Sequence, residues 1–145
     1  MALAAVKDKV LQVRDIMSPV VVTLGRNESL RTADDVMRLG RIRHLPVVDE
    51  DGGLVGILSQ RDLFHSGLLR ALGYGTHARG SVLDGLVLKE TMKTEVVTTT
   101  PDTELREAAK VMLERKIGCL VVLEGQRIAG IVTESDFVRL SVEAV

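Results

Sequence analysis

The chain has 145 residues, 46% apolar and 27% charged, a balance that excludes intrinsic disorder and collagen-like structure. Nineteen basic against twenty acidic residues leave a net charge of −1, and the aromatics are only Phe64, Tyr74 and Phe137, a poor footprint for duplex nucleic acid or base stacking. No apolar run reaches the roughly 18–20 residues of a membrane span, so no membrane insertion is expected. The N-terminal stretch lacks a basic leader followed by an apolar segment, and the single Cys119 has no internal disulfide partner. A cytoplasmic location is the expectation.

In chain order, the first feature is Asp15-Ile16-Met17-Ser18, which returns as Glu90-Thr91-Met92-Lys93 at an offset of 75 residues. The β-branched run Val20-Val21-Val22 predicts a brief buried strand ending at Thr23, and Val96-Val97-Thr98 predicts its counterpart. An amphipathic helix follows through Leu30, Ala33, Val36 and Met37, with acids toward its start and Arg38 toward its end. Its repeat carries Leu105, Ala108, Ala109, Met112 and Leu113 at i, i+3, i+4, i+7, i+8. Two strands come next, Leu45–Val48 and Leu54–Leu58, joined by the hairpin-type turn Asp49-Glu50-Asp51-Gly52-Gly53. The second copy replaces that turn with Glu124-Gly125-Gln126. Gly56-Ile57-Leu58-Ser59-Gln60-Arg61-Asp62 therefore matches Gly130-Ile131-Val132-Thr133-Glu134-Ser135-Asp136 at an offset of 74. A second helix is predicted to begin at Ser59 and at Thr133. Leu68, Leu69 and Leu72 are expected to prolong the first of these helices, and Gly73-Tyr74-Gly75-Thr76-His77 to end it.

The unit is thus β-α-β-β-α, present twice, which is too few copies for a solenoid. One such unit leaves an apolar sheet face open, so the copies should cover each other. The expected fold class is α/β (α+β), with two pseudo-symmetric βαββα units packed sheet to sheet. The division is 1–12 N-terminal segment, 13–64 first unit, 65–87 connecting helix and linker, 88–140 second unit, 141–145 tail.

The doubled βαββα order, Met17 and Met92 ahead of the first strands, Leu45-Pro46-Val47-Val48, and the twice-used Gly-h-h-[Ser/Thr]-x-x-Asp resemble a pair of cystathionine-β-synthase (CBS) domains, a Bateman module. The likeness runs from about Val13 to about Val138. It implies a stand-alone regulatory module, not an enzyme. Such a module binds AMP, ADP or ATP as a regulatory ligand in clefts between the repeats, with S-adenosylmethionine ranked after them. It also implies a homodimer and an effector protein whose identity the sequence does not give.

Site residues follow from the same matching. Ser59-x-x-Asp62 and Thr133-x-x-Asp136 read first as capping-box helix starts. The resemblance adds that the Asp accepts from ribose hydroxyls, while the helix start and its hydroxyl meet phosphate. Ser135 adds a second hydroxyl in the second copy. The resemblance also places Thr23 and Thr98 against a nucleotide. The backbone at Val21 and Val97 could read an adenine edge, with Pro46, Ile42 and Ile117 as apolar walls. Arg43 and His44 supply cations for phosphate, or else are solvated loop charges. The second copy has Gly118 and Cys119 there, and Val121 for Pro46, so unequal clefts are expected. The competing reading is a ligand-free homodimerisation or protein-interaction scaffold. Apolar residues on the second helices (Leu63, Phe64, Leu68; Phe137, Val138, Leu140) suggest a subunit interface. Gly73-Tyr74-Gly75-Thr76-His77-Ala78 fits G-x-G-x-x-A but follows a helix instead of a strand. Three scattered His and one Cys give no metal-ligand spacing, so no metal site is expected, and no nucleophile or Walker A motif appears.

Overall fold

The computed structural model describes residues 10–66 and 83–143. In chain order these form α1 (Val13–Ile16), β1 (Leu24–Gly25), α2 (Leu30–Gly40), β2 (His44–Val48), β3 (Leu54–Ser59) and α3, described over 60–66. A 3-10 turn at Leu88–Glu90 leads to β4 (Thr98–Thr99), α4 (Leu105–Arg115), β5 (Cys119–Glu124), β6 (Arg127–Thr133) and α5 (Glu134–Glu143). The expected prolongation through Leu68, Leu69 and Leu72, and the break at 73–77, lie outside the described residues. No described helix is long and apolar enough to cross a membrane.

Two three-stranded sheets result, ordered β1-β2-β3 and β4-β5-β6, each with a parallel first pair and an antiparallel second pair. This α+β arrangement, used twice, is the fold class the sequence predicts. The first strands are displaced from their predicted positions. Val20 is 79% exposed and Val20–Val22 form no strand; β1 begins after Thr23, pairing Leu24 with Val47. In the second copy the strand is Thr98–Thr99, paired with Val121 and Val122. The one-residue difference between copies has a cause. Thr98 pairs with Val121, whose N–H donates to the Val97 carbonyl at 3.4 Å. The matching residue Pro46 has no N–H, so the ladder in the first copy starts one residue later.

The chain forms two packed units that are not its two sequence copies. One comprises 1–21 with 97–145; the other is the continuous stretch 22–96. In the 22–96 unit the core is Leu30, Ala33, Met37, Leu45, Val47, Leu58 and Leu63 together with Leu83, Leu86 and Leu88, with Met92 against it. In the other, Val13 joins Ala108, Met112, Leu120, Val122 and Val132, with Met17 against them. Each Met-containing leader therefore packs on the body of the other copy.

The docking is the same in both units. Lys93 exchanges two backbone hydrogen bonds with Ile57, each 2.9 Å. Ser18 does the same with Ile131, at 2.9 and 3.0 Å. Ile57 spends its backbone groups on Lys93 and is opposite Pro46 in β2, so Pro46 occupies a non-hydrogen-bonded pair and its missing donor costs the β2–β3 pairing nothing. Each leader crosses a buried glycine one residue earlier in the strand, Gly56 beneath Met92 and Gly130 beneath Met17.

Both first helices show the predicted stripe in part. Leu30, Ala33 and Met37, and Leu105, Ala108 and Met112, are buried, but Leu113 is exposed. The acids of α2 sit mid-helix, where Asp35 and Asp34 pair with Arg38 at 2.7 and 3.8 Å. Arg41 and Lys116 end α2 and α4 in the left-handed conformation, φ 53° and 55°. The β2–β3 turn is held by the Asp49 carboxylate, which accepts from the N–H groups of Asp51 (3.0 Å) and Gly53 (2.9 Å).

Candidate functional site

Candidate residues of the 22–96 unit gather where β2 begins beside the end of β3. His44 is opposite Ser59, and the Arg43 carbonyl accepts from the Gln60 N–H at 2.7 Å. The Ser59 hydroxyl accepts from the Asp62 N–H at 3.0 Å, the hydroxyl half of a capping box. Arg43, His44 and Ser59 line one open pocket with Asp34, Arg38, Gln60, Arg61, Leu63 and Phe64. Its volume of about 670 Å³ falls within the roughly 300–1,000 Å³ of small-molecule sites. Asp62 is not among these lining residues; its carboxylate faces Lys93, Nζ to Oδ2 3.8 Å. Thr23 is half-buried ahead of β1, and Pro46 is buried within β2. Ile42 packs against the core.

The matching place in the other unit is built differently. Cys119 is opposite Thr133, and the Gly118 carbonyl accepts from the Glu134 N–H at 3.2 Å. Here the acid does the capping: Asp136 Oδ2 accepts from the Thr133 N–H at 2.8 Å and lies 3.4 Å from its hydroxyl. Asp136 Oδ1 accepts from Arg139 Nη1 at 3.1 Å, and the carboxylate is buried. The Thr133 and Ser135 hydroxyls bond each other at 2.8 Å. Val97 is half-buried against the core, and its carbonyl is taken by Val121. Thr98 lines another pocket, with Thr99, Thr100, Thr103 and Glu107. Val21 is half-buried and outside any strand. Ile117 packs against its own core.

Sequence reading missed Lys93 and Arg139. Arg139 is three residues after Asp136, a spacing that puts both on one helix face and was available to find it. Lys93 gave no such signal, since 31 positions separate it from Asp62. Among the described residues no group of His, Cys, Asp and Glu could hold a metal ion.

Burial pushes the Cys119 thiol up to about 12 from an ordinary value of 9.0. The thiol is neutral in both folded and unfolded chain at pH 7, so its contribution to stability is fully present there. As pH rises past about 9 the unfolded chain loses this proton first, and that stability drains away toward about pH 12. We expect Cys119→Ala to flatten this alkaline fall in denaturant midpoints measured from pH 7 to 11. An unchanged slope would show that other groups cause it.

A family model for the CBS domain matches residues 13–68 and again 88–143. The chain belongs to that family. It is 31% identical over 126 residues to Hypoxic response protein 1 of Mycobacterium tuberculosis, covering 87% of this chain and 82% of that protein. The crystal structure of the CBS domain pair of protein MJ0100, in complex with 5'-methylthioadenosine and S-adenosyl-L-methionine, aligns with TM-score 0.76 and 29% identity over 93% of this chain and 98% of that one. A 34% identical stretch of homoserine O-acetyltransferase from Methanococcoides burtonii spans 88% of this chain but only 24% of that enzyme. The CBS matches and the packed units are offset. Residues 13–21 of the first CBS repeat pack with the body of the second, and 88–96 of the second with the body of the first.

Proposed function

We propose that this CBS pair is a regulatory module, not an enzyme, that binds an adenosine nucleotide and reports it through conformation or assembly in the cytoplasm. The observation that carries the reading is the duplicated strand–helix junction, Ser59 to Asp62 and Thr133 to Asp136. The first of these junctions borders a pocket lined by Arg38, Arg43 and Arg61, and the second repeats its helix start. Among the described residues neither Arg43 nor Arg61 has an ion-pair partner, which leaves two guanidinium groups for phosphate. The adenosine moiety common to both MJ0100 ligands supports the ligand class. A ligand acts here only through differential affinity for two arrangements of the protein, and the effector is a separate chain or a second copy of this one.

Thermal denaturation with AMP, ADP, ATP, S-adenosylmethionine and methylthioadenosine tests the proposal. A true ligand at 100 times its Kd stabilises by about 2.7 kcal/mol, and Asp62→Ala with Asp136→Ala should abolish the shift. A shift that survives both substitutions would place the site elsewhere. One observation favours a second reading, a ligand-independent homodimerisation scaffold. Phe64 and Val138, at matching positions of the second helices, are 55% and 63% exposed. Absence of any nucleotide response, with a dimer that Phe64→Ser plus Val138→Ser dissociates, would establish that reading instead.

A further inference from the structure

The two Ser/Thr-x-x-Asp acids are in unlike chemical states. Asp136 is already engaged within the protein: one oxygen takes the Thr133 N–H at 2.8 Å and the other takes Arg139 at 3.1 Å. Asp62 is not. Among the described residues its carboxylate accepts no hydrogen bond, although its side chain is only 25% exposed. What faces it is the Lys93 ammonium at 3.8 Å, beyond hydrogen-bond length but within Coulombic reach. Lys93 comes from the leader of the second CBS repeat, pinned to β3 by its two backbone bonds to Ile57. Its side chain is 68% exposed and free to swing about that anchor. The repeat-matched residue in the other unit is Ser18, which has no charge and bonds the Val20 carbonyl at 3.3 Å.

We infer that Lys93 is a charge-selecting residue of the 22–96 unit. It balances Asp62 while the site is empty and turns to a ligand phosphate once a ribose diol engages the carboxylate. The inference rests on the adenosine-nucleotide reading above and deepens it. The Asp62 unit takes phosphate-bearing adenosine compounds, while the Asp136 unit, with Gly118 and Cys119 where Arg43 and His44 stand, adds no such preference. An exposed pair of this kind contributes little to folding, so the two carbonyl and amide bonds of Lys93, not its ammonium, hold the leader in place. Substituting the side chain therefore tests selection apart from stability.

Calorimetric titration of the full chain with adenosine, AMP and ATP, for wild type, Lys93→Met and Lys93→Arg, decides the matter. Lys93→Met should weaken AMP and ATP about tenfold, the scale of one charge-assisted bond lost. It should leave adenosine within about twofold and the melting temperature unchanged, and Lys93→Arg should restore the nucleotides. Equal losses for adenosine and AMP, or no loss for either, would overturn the inference while leaving the ligand reading intact. Failure of the wild-type chain to bind any of the three would remove the ligand reading itself, and this inference with it.

Discussion

Leu88→Ala should destabilise the protein by about 2–5 kcal/mol, the usual cost of emptying a leucine site in a packed core, and should loosen the half of the chain to which Leu88 does not belong by sequence. Leu88 is fully buried among Leu30, Met37, Leu45, Val47 and Leu58. Its backbone is tied to the same body: the Leu88 N–H donates to the Glu28 carbonyl and the Lys89 N–H to the Arg26 carbonyl, both at 2.9 Å. Removing three carbons there leaves a cavity that a backbone so anchored cannot follow inward to fill. A loss on this scale is a large fraction of the roughly 5–15 kcal/mol that holds a domain together. Native-state hydrogen exchange locates it. Protection should fall across β2 and β3 and persist across β5 and β6. Val13→Ala is the mirror experiment, since Val13 is fully buried with Leu120, Val122 and Val132. It should cost about 2 kcal/mol for two carbons, with protection lost across β5 and β6. If Leu88→Ala instead loosened β5 and β6, the leaders would pack on their own copies and the assignment of units would be wrong.

The duplication and the element order were legible because they rest on local chemistry. Leu30, Ala33 and Met37 recur at helical spacing, Asp49 and Gly52 mark a turn, and Ser59 with Asp62 marks a helix start. The structure meets each of these where the residues put it. The first strands were misplaced because β-branching at Val20–Val22 speaks for extended backbone, whereas pairing is decided by the partner. β2 offers parallel partners only at Val47 and Val48, since Pro46 has no N–H to extend the ladder. The exchange of leaders was illegible for a different reason. Met17 and Met92 are followed by equivalent strands and helices, so either could dock on either body. The two possibilities are distinguished by long-range contacts, among them the register of Lys93 with Ile57 and of Ser18 with Ile131. The candidate site shares that limit: Arg43, His44 and Ser59 meet through adjacent strands and were found, whereas Lys93 reaches Asp62 only through the exchanged leader.

Gly56→Ala should cost about 1–3 kcal/mol, the range for forcing an extra methyl into a filled core, and Gly130→Ala should cost a similar amount. A Cβ on Gly56 would collide with Met92 Sδ and approach the Lys93 carbonyl oxygen to 2.9 Å. On Gly130 it would meet Met17 Sδ and the Ser18 carbonyl oxygen, each at 2.8 Å. The thioether can swing aside at modest cost, because methionine has three soft torsions. The carbonyl cannot, since it accepts the Ile57 N–H at 2.9 Å in one unit and the Ile131 N–H at 3.0 Å in the other. Gly56→Ala combined with Met92→Ala should therefore recover little of the loss, as the backbone obstacle remains. Gly85→Ala is the control: no atom of the described residues stands within 4 Å of the added methyl, and that substitution should be neutral or gain up to about 1 kcal/mol. Chemical denaturation of the four variants measures the differences directly. Equal midpoints for Gly56→Ala and Gly85→Ala would mean that the leader is not seated over β3, and full recovery in the double variant would mean that only the sulfur stood in the way.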